Sequence, residues 1–492
     1  MPGDRPDYGR HSIIALSTVV LVIAGWLIGY SQTRAFVWDE GFHLIAADRI
    51  AAGKTPYIDF CFPQTPLNAY LNGALIRLFG EHWQAPHLVA ALFAAGAAAL
   101  AAEFVLSRLP VRGWNVACAA SAAVFVGFNS VITQFGLVGQ AYGICLFLGV
   151  AAFRTAIAAV DRRASVLAFC TGLLAGAAAD SSLLTVPVAP ILLIWMLVVH
   201  RAGSRVGKCA AFLLGVLVSF LPVLWLFAKA PRQVFFNIVQ YQALYRRVNW
   251  PGATLQDVDA LTSWMDSTQA LLLGLLAVAG ILFLRKQREW NGARRAEFYL
   301  AGWLAVGLGL FIATAHPTFG RYFLLLVPFV SMLAAVGLYS VGTRLAGSSQ
   351  YWRPAAVAIA LTVLACARAQ FEDRDSTTWK DYGEIARKVG DVTPPGARLY
   401  AEEVVYFLLQ RTPPNGMEFS YSHKIQLSPK REALFHIVSE AELKEQIKAG
   451  RFATVESCKD DTIDYYRLAE LFPHRADVQD CGIFWGKVKL AK

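Results

Sequence analysis

A succession of apolar runs near twenty residues long limits what this chain can fold into. They fall at 12–31, 84–107, 114–130, 137–158, 165–180, 182–200, 208–228, 268–285, 297–315, 321–341 and 353–369. A helix of about 20 residues crosses a ~30 Å hydrocarbon core. Only helices and closed barrels satisfy their backbone groups in lipid, and the ~10-residue alternation of barrel strands is missing. With 56% hydrophobic and 16% charged residues, the composition agrees. The expected fold class is an all-α polytopic membrane protein of about eleven spans.

The basic residues set an expected topology. Arg5 and Arg10, Arg108 and Arg112, Arg154, Arg162 and Arg163, Arg201, Arg205 and Lys208, the segment 285–295, and Arg344 and Arg353 occupy alternate ends of the spans. By the positive-inside rule this side is cytoplasmic, and so is the N-terminus. The net charge of +10 then reflects topology and lipid headgroups, not a nucleic-acid partner. The 12–31 run carries no clear cleavage pattern and reads as a retained anchor.

Three longer segments face the opposite, periplasmic or extracellular side: 32–83, 229–267 and the tail from 371. We expect two domains, a membrane domain over 1–370 and a small soluble α/β domain over 371–492. In the tail, 379–392 reads as an amphipathic helix stopped by Pro394-Pro395-Gly396. Of eight cysteines, Cys61, Cys458 and Cys481 lie outside the spans on the oxidising side. Cys458 and Cys481 are either a disulfide or two separate buried thiols. No zinc-like spacing occurs.

The segment from Trp38 to Tyr70 carries the chemistry. It places Asp39-Glu40 next to a bilayer, together with His43, Asp48 and Asp59. Ionisable groups there are costly and mark functional sites. Asp39 has two readings. It is a general base that takes a proton from an acceptor hydroxyl, or it is the N-cap of the helix starting near Gly41. Glu40 is the alternative base, since adjacent carboxylates differ only in helix phase. His43 shares a helix face with Asp39 and contacts acceptor or simply packs. Asp59 is a second cavity carboxylate or a turn residue. Arg321, after His316, is a phosphate ligand or an interfacial anchor. Arg246 and Arg247, in an aromatic-rich amphipathic segment, anchor to headgroups or contact a lipid donor. His82, His87 and His316 lack metal-ligand spacing, so no metal site is assigned, and a divalent metal stays a minor alternative.

The pattern Asp39-Glu40, Gly53-Lys54-Thr55-Pro56-Tyr57, Pro63-Gln64-Thr65-Pro66-Leu67 and the later Arg321-Tyr322 with Pro328 resembles the GT-C glycosyltransferases. The similar group is that of protein O-mannosyltransferases and lipid A aminoarabinose transferases (glycosyltransferase family 39-like). The resemblance covers most of the chain as architecture, but only the first loop as a specific motif. It implies that Asp39 is the catalytic residue, that Tyr57, Gln64 and Tyr322 belong to the substrate site, and that the donor is a polyprenyl-phosphate-linked sugar. It departs at Gln64-Thr65, where the aminoarabinose group carries Glu-Lys, at Gln140, where relatives often carry an acid, and at Asp180-Ser181-Ser182, near which many carry Lys. The donor-phosphate contacts of that group are therefore not transferred to those positions, and aminoarabinose is disfavoured.

The expected function is transfer of a sugar from a polyprenyl-phosphate donor to a lipid, glycan or protein acceptor at the outer face of a bacterial cytoplasmic (inner) membrane. The base is Asp39 and the displacement inverts the anomeric carbon. The rivals are a flippase of lipid-linked sugars, which needs polar groups at mid-span, and a non-catalytic membrane scaffold.

Overall fold

The computed structural model describes residues 10–36, 39–199, 204–247, 252–287, 290, 292–374 and 377–486. Each expected span coincides with an apolar helix. Seven are long and apolar enough to cross a membrane: Ser12–Thr33, Gln84–Arg108, Tyr142–Asp161, Thr268–Lys286, Gly292–Ala313, Gly320–Ala346 and Trp352–Glu372. Trp114–Gly127, Ser165–Ser181 and Leu183–Val198 are shorter apolar helices. The run at 208–228 is not one straight helix. Arg205–Ser219 and Leu221–Lys229 meet at 54°, because Pro222, second in the latter helix, has no N–H to continue the ladder. Among the described residues, helices long and apolar enough to cross a membrane therefore number seven, or eight if the bent pair counts as one, beside the three shorter helices.

The chain divides into two compact units. The first comprises 1–32, 87–222 and 251–375, and the second 33–86, 223–250 and 376–492.

The first unit is a helical bundle held by close backbone contact. A Cβ on Gly337 would stand 1.8 Å from the Leu276 carbonyl oxygen, and one on Gly280 would stand 2.3 Å from that of Leu333. Glycine alone permits these two helices to approach so closely, as is common where lipid supplies no hydrophobic drive. Gln269 ties three further segments together. Its amide nitrogen donates to the carbonyls of Phe128 and Thr362, both at 2.7 Å, and its oxygen accepts from the Ser130 N–H. Arg108 pairs with Asp161 and with Glu297, and Arg154 pairs with Glu103.

The second unit gathers the first loop and the tail around shared apolar clusters. The helix Glu40–Ala51 packs on Leu67–Phe79 and on Glu403–Leu408. A Cβ on Gly41 would sit 2.9 Å from that of Glu403. Phe36 meets Trp83 and Tyr382 edge-on, and Trp83 meets Trp379. The amphipathic helix expected in the tail is Trp379–Val392, opened by a Thr378–Asp381 capping box. A four-stranded sheet follows, built from β1 (Leu399–Tyr400), β2 (Thr454–Ser457), β3 (His474–Val478) and β4 (Cys481–Trp485), in the order β1-β2-β4-β3. β1 and β2 are parallel and the other pairs antiparallel. Cys458 and Cys481 form a disulfide at one end of β2 and β4.

Candidate active site

Asp39 stands at the N-cap position of Glu40–Ala51, yet its side chain makes no capping hydrogen bond. The carboxylate is thus not committed to the orphan N–H groups of the helix, the usual occupation of an Asp there. It is part-exposed, whereas Glu40, one residue on, is fully buried. Adjacent carboxylates at one helix start therefore occupy different environments.

His43 lies one turn further along the same helix and is buried. Its ring stacks on Phe42 and meets Phe62 edge-on. Burial pushes the imidazole down to about 3, so it is neutral at ordinary pH. Its Nδ1 has no hydrogen-bond partner among the described residues. A neutral ring can donate through one nitrogen and accept through the other, as a hydroxyl-bearing ligand requires.

The turn that follows is clamped from several directions. Tyr57, at φ +69, is buried, and its hydroxyl donates to the Gln64 carbonyl at 2.6 Å. Asp59 is exposed and accepts the Thr55 N–H at 2.7 Å, which closes the turn. The Asn237 amide oxygen accepts from the Phe62 N–H and the Cys61 thiol, and Gln242 donates to the Pro63 carbonyl. Asn237 belongs to a π-helical stretch, Phe236–Gln240, between two α-helical pieces. Such turns recur at functional sites. Glu418, buried in the tail, accepts the Gly416 N–H, and burial raises its carboxyl to about 7. Its neighbour Phe419 packs edge-on against Phe42.

Asp39, Glu40, His43, Tyr57, Asp59 and Gln64 all belong to the second unit. Arg246 lies on the Tyr241–Arg247 helix of that unit, and its side chain is outside the described residues.

His316, Arg321 and Tyr322 belong to the first unit. Arg321 and Tyr322 ride on a 3₁₀ turn, Gly320–Leu326, leading into the Val327–Ala346 helix. The guanidinium lies over the Phe319 ring at 4.1 Å and 5.5 Å from that of Tyr322. Stacking holds the planar fork at the helix start, where it can meet an anion. His316 is engaged with the Asp257 carboxylate, which also accepts the Thr318 N–H at 2.6 Å. Asp257 thus fixes the segment just before Arg321.

Asn237, Gln242, Asp257 and Glu418 had not been singled out in the sequence. The amides Asn237 and Gln242, set among the aromatic residues of 235–245, were the visible signal. Among the described residues, Glu456, Cys458 and Cys481 form a group with metal-like spacing. Its two sulfurs are joined as a disulfide and so are not thiolate donors.

Compared with solved structures, the chain has the GT-C fold. It is similar to the crystal structure of ArnT from Cupriavidus metallidurans bound to undecaprenyl phosphate, with a TM-score of 0.66 at 15% identity over 99% of this chain and 100% of that one. The apo form of the same protein gives 0.65 at 15% identity, over 96% of this chain and 97% of that one. The oligosaccharyltransferase of Archaeoglobus fulgidus, tethered with an acceptor peptide, gives 0.53 at 12% identity, over 92% of this chain and 70% of that one. No family model and no curated protein sequence matches.

Proposed function

We propose that this chain is an inverting membrane glycosyltransferase that uses a polyprenyl-phosphate-linked sugar as donor. The observation that carries this reading is Asp39, at the head of the juxtamembrane helix without capping it. The end-to-end fold similarity to a protein bound to undecaprenyl phosphate supports the donor class.

In the proposed step, the Asp39 carboxylate takes the proton of an acceptor hydroxyl as that oxygen attacks the anomeric carbon. The new C–O bond forms on one face while the bond to the phosphate oxygen breaks on the other. Polyprenyl phosphate leaves with the electron pair. A departing phosphate needs a cationic partner, and Arg321 is the candidate the resemblance supplies. His43, Tyr57 and Gln64 shape the acceptor side, and Glu40 supports Asp39.

The eleven apolar helical segments are proposed as eleven crossings. The basic ends and N-terminus lie in the cytoplasm of a bacterium, and the 32–83 loop and soluble 371–492 domain lie in the periplasm. The acceptor is an envelope lipid, glycan or protein.

The test is transfer from radiolabelled polyprenyl-phosphate sugars to membrane acceptors, comparing wild type with Asp39→Asn. Loss of roughly 100-fold or more at normal expression is expected for removal of a general base. Undiminished transfer by the variant would move the base elsewhere. Absence of transfer by wild type from every donor, with lipid flipping instead, would replace the enzyme by a transporter.

A further inference from the structure

The tail carries a group of side chains that the proposed transfer does not use. Glu456 is an interior residue of β2 with 1% exposure. Its Oε2 accepts the Glu402 N–H at 2.9 Å, and its Oε1 lies 3.1 Å from the Cys458 sulfur. A disulfide sulfur has no proton to donate, so among the described residues Oε1 receives no hydrogen bond. A buried acceptor in that condition is uncommon and costly. Ser457 pairs with Gly482 across β2 and β4, and continuing that register sets Cys481 opposite Cys458. One carboxylate oxygen of Glu456 and the two sulfurs all lie within 4.8 Å of one another.

The local field favours a cation. Glu402 and Glu403 both add negative potential at Glu456, and Lys459, whose Nζ is 4.0 Å from Glu402, offsets part of it. While the S–S bond is intact the group holds no metal, because neither sulfur is a thiolate. Cys458 is half-buried and so within reach of a reductant, while Cys481 is buried.

We infer that reduction turns this end of the sheet into a three-ligand zinc site, with Cys458, Cys481 and Glu456 as ligands and water in the fourth position. Two thiolates and a carboxylate suit zinc, whereas magnesium and calcium take oxygen ligands. Tetrahedral zinc, bonded at about 2.3 Å to sulfur and about 2.0–2.2 Å to oxygen, sets its ligand atoms about 3.5–3.8 Å apart. Once unbonded, the two sulfurs reach that spacing by side-chain rotation. In the redox step a dithiol reductant gives two electrons to the S–S bond, which breaks, and is itself oxidised to a disulfide. Zinc then displaces the thiol protons to solvent and forms two metal–sulfur bonds, with no further electron transfer. A coordinate link thus replaces the covalent one between β2 and β4. The site does not depend on the glycosyltransferase reading.

The test uses the purified full chain in nanodiscs, either oxidised or reduced with a phosphine that is removed before metal is added. The probes are zinc and cobalt(II). Reduced wild type should show sulfur-to-cobalt charge-transfer bands, and zinc should raise its thermal midpoint. Zinc should also protect Cys458 and Cys481 from alkylation, read by mass spectrometry of the peptides. Oxidised wild type and the Cys458→Ala/Cys481→Ala double variant should show none of these effects. Reduced Glu456→Gln should bind cobalt about 10-fold or more weakly, since even groups behind a ligand carry that much. Alkylation of both cysteines in reduced wild type that ignores zinc overturns the inference, whether or not any variant folds. An equal zinc effect on the oxidised protein or the double variant also overturns it, by placing the metal elsewhere. Equal cobalt affinity in Glu456→Gln removes the carboxylate, and with it the three-ligand site.

Discussion

The side-chain oxygen of Asn237 accepts the backbone N–H of Phe62 at 2.8 Å, across 175 positions of sequence. The same oxygen receives the Cys61 thiol, and the Asn237 amide nitrogen donates to the Gln233 carbonyl in its own helix. One amide therefore couples the proline turn of the first loop to the aromatic segment 231–247.

Asn237→Leu keeps the volume and removes the acceptor. It leaves the buried Phe62 N–H unpaired, at a cost of about 1–3 kcal/mol. We expect a lower thermal midpoint and faster proteolysis within 55–66. Wild-type resistance in the variant would show that the clamp contributes nothing.

Asp39→Ala separates catalysis from capping. A capping Asp replaced by Ala costs about 1 kcal/mol. Because Asp39 makes no capping bond, we expect a stability change below roughly half that, with transfer reduced about 100-fold or more. Parallel denaturation and activity measurements check both halves, and a marked loss of stability would restore the cap reading.

His43 gives stability a pH dependence of definite sign. Its folded value, about 3, lies below the ordinary 6.5. The unfolded chain thus binds a proton first as pH falls. The stability associated with the neutral buried ring is complete above 6.5 and is lost progressively as pH drops toward 3. Relative to His43→Gln, wild type should lose about 2 kcal/mol between pH 7.5 and 5, at ~1.4 kcal/mol per unit below 6.5. Thermal midpoints at the two values test this, and parallel shifts in both proteins would contradict it.

The Cys458–Cys481 bridge closes a loop with a sequence separation of 23. Loops of this order contribute about 3 kcal/mol. Replacing both cysteines by alanine should lower the midpoint of the second unit and remove its sensitivity to reducing agent. A midpoint unaffected by dithiothreitol in wild type would show that the bond adds no stability.

Much of the fold was legible, because lipid imposes length and polarity on every span, and helix positions follow from that alone. The bend at Phe220 was also written, in Pro222, but a hydropathy window averages over one residue. Within the site, Asp39 was visible because a carboxylate beside a bilayer is conspicuous without any structure. Asp257 and Asn237 were not, because each acquires its role only when folding brings a distant segment against it: Asp257 binds the segment before Arg321, and Asn237 binds Phe62. Asp180 was conspicuous as an acid near a span end, but that neither of its oxygens meets a partner among the described residues is a property of the packed bundle.

The second unit is discontinuous, assembled from 33–86, 223–250 and 376–492. Synthesis therefore delivers its pieces far apart in time. At roughly 5–20 residues per second, Phe36, Trp83 and the helix bearing Asp39 wait tens of seconds for Tyr382, Val404 and Phe419. During that interval their apolar faces are uncovered. The helix that Asp39 heads thus gains its tail contacts, Gly41 against Glu403 and Phe42 against Phe419, only once the last quarter of the chain has been made.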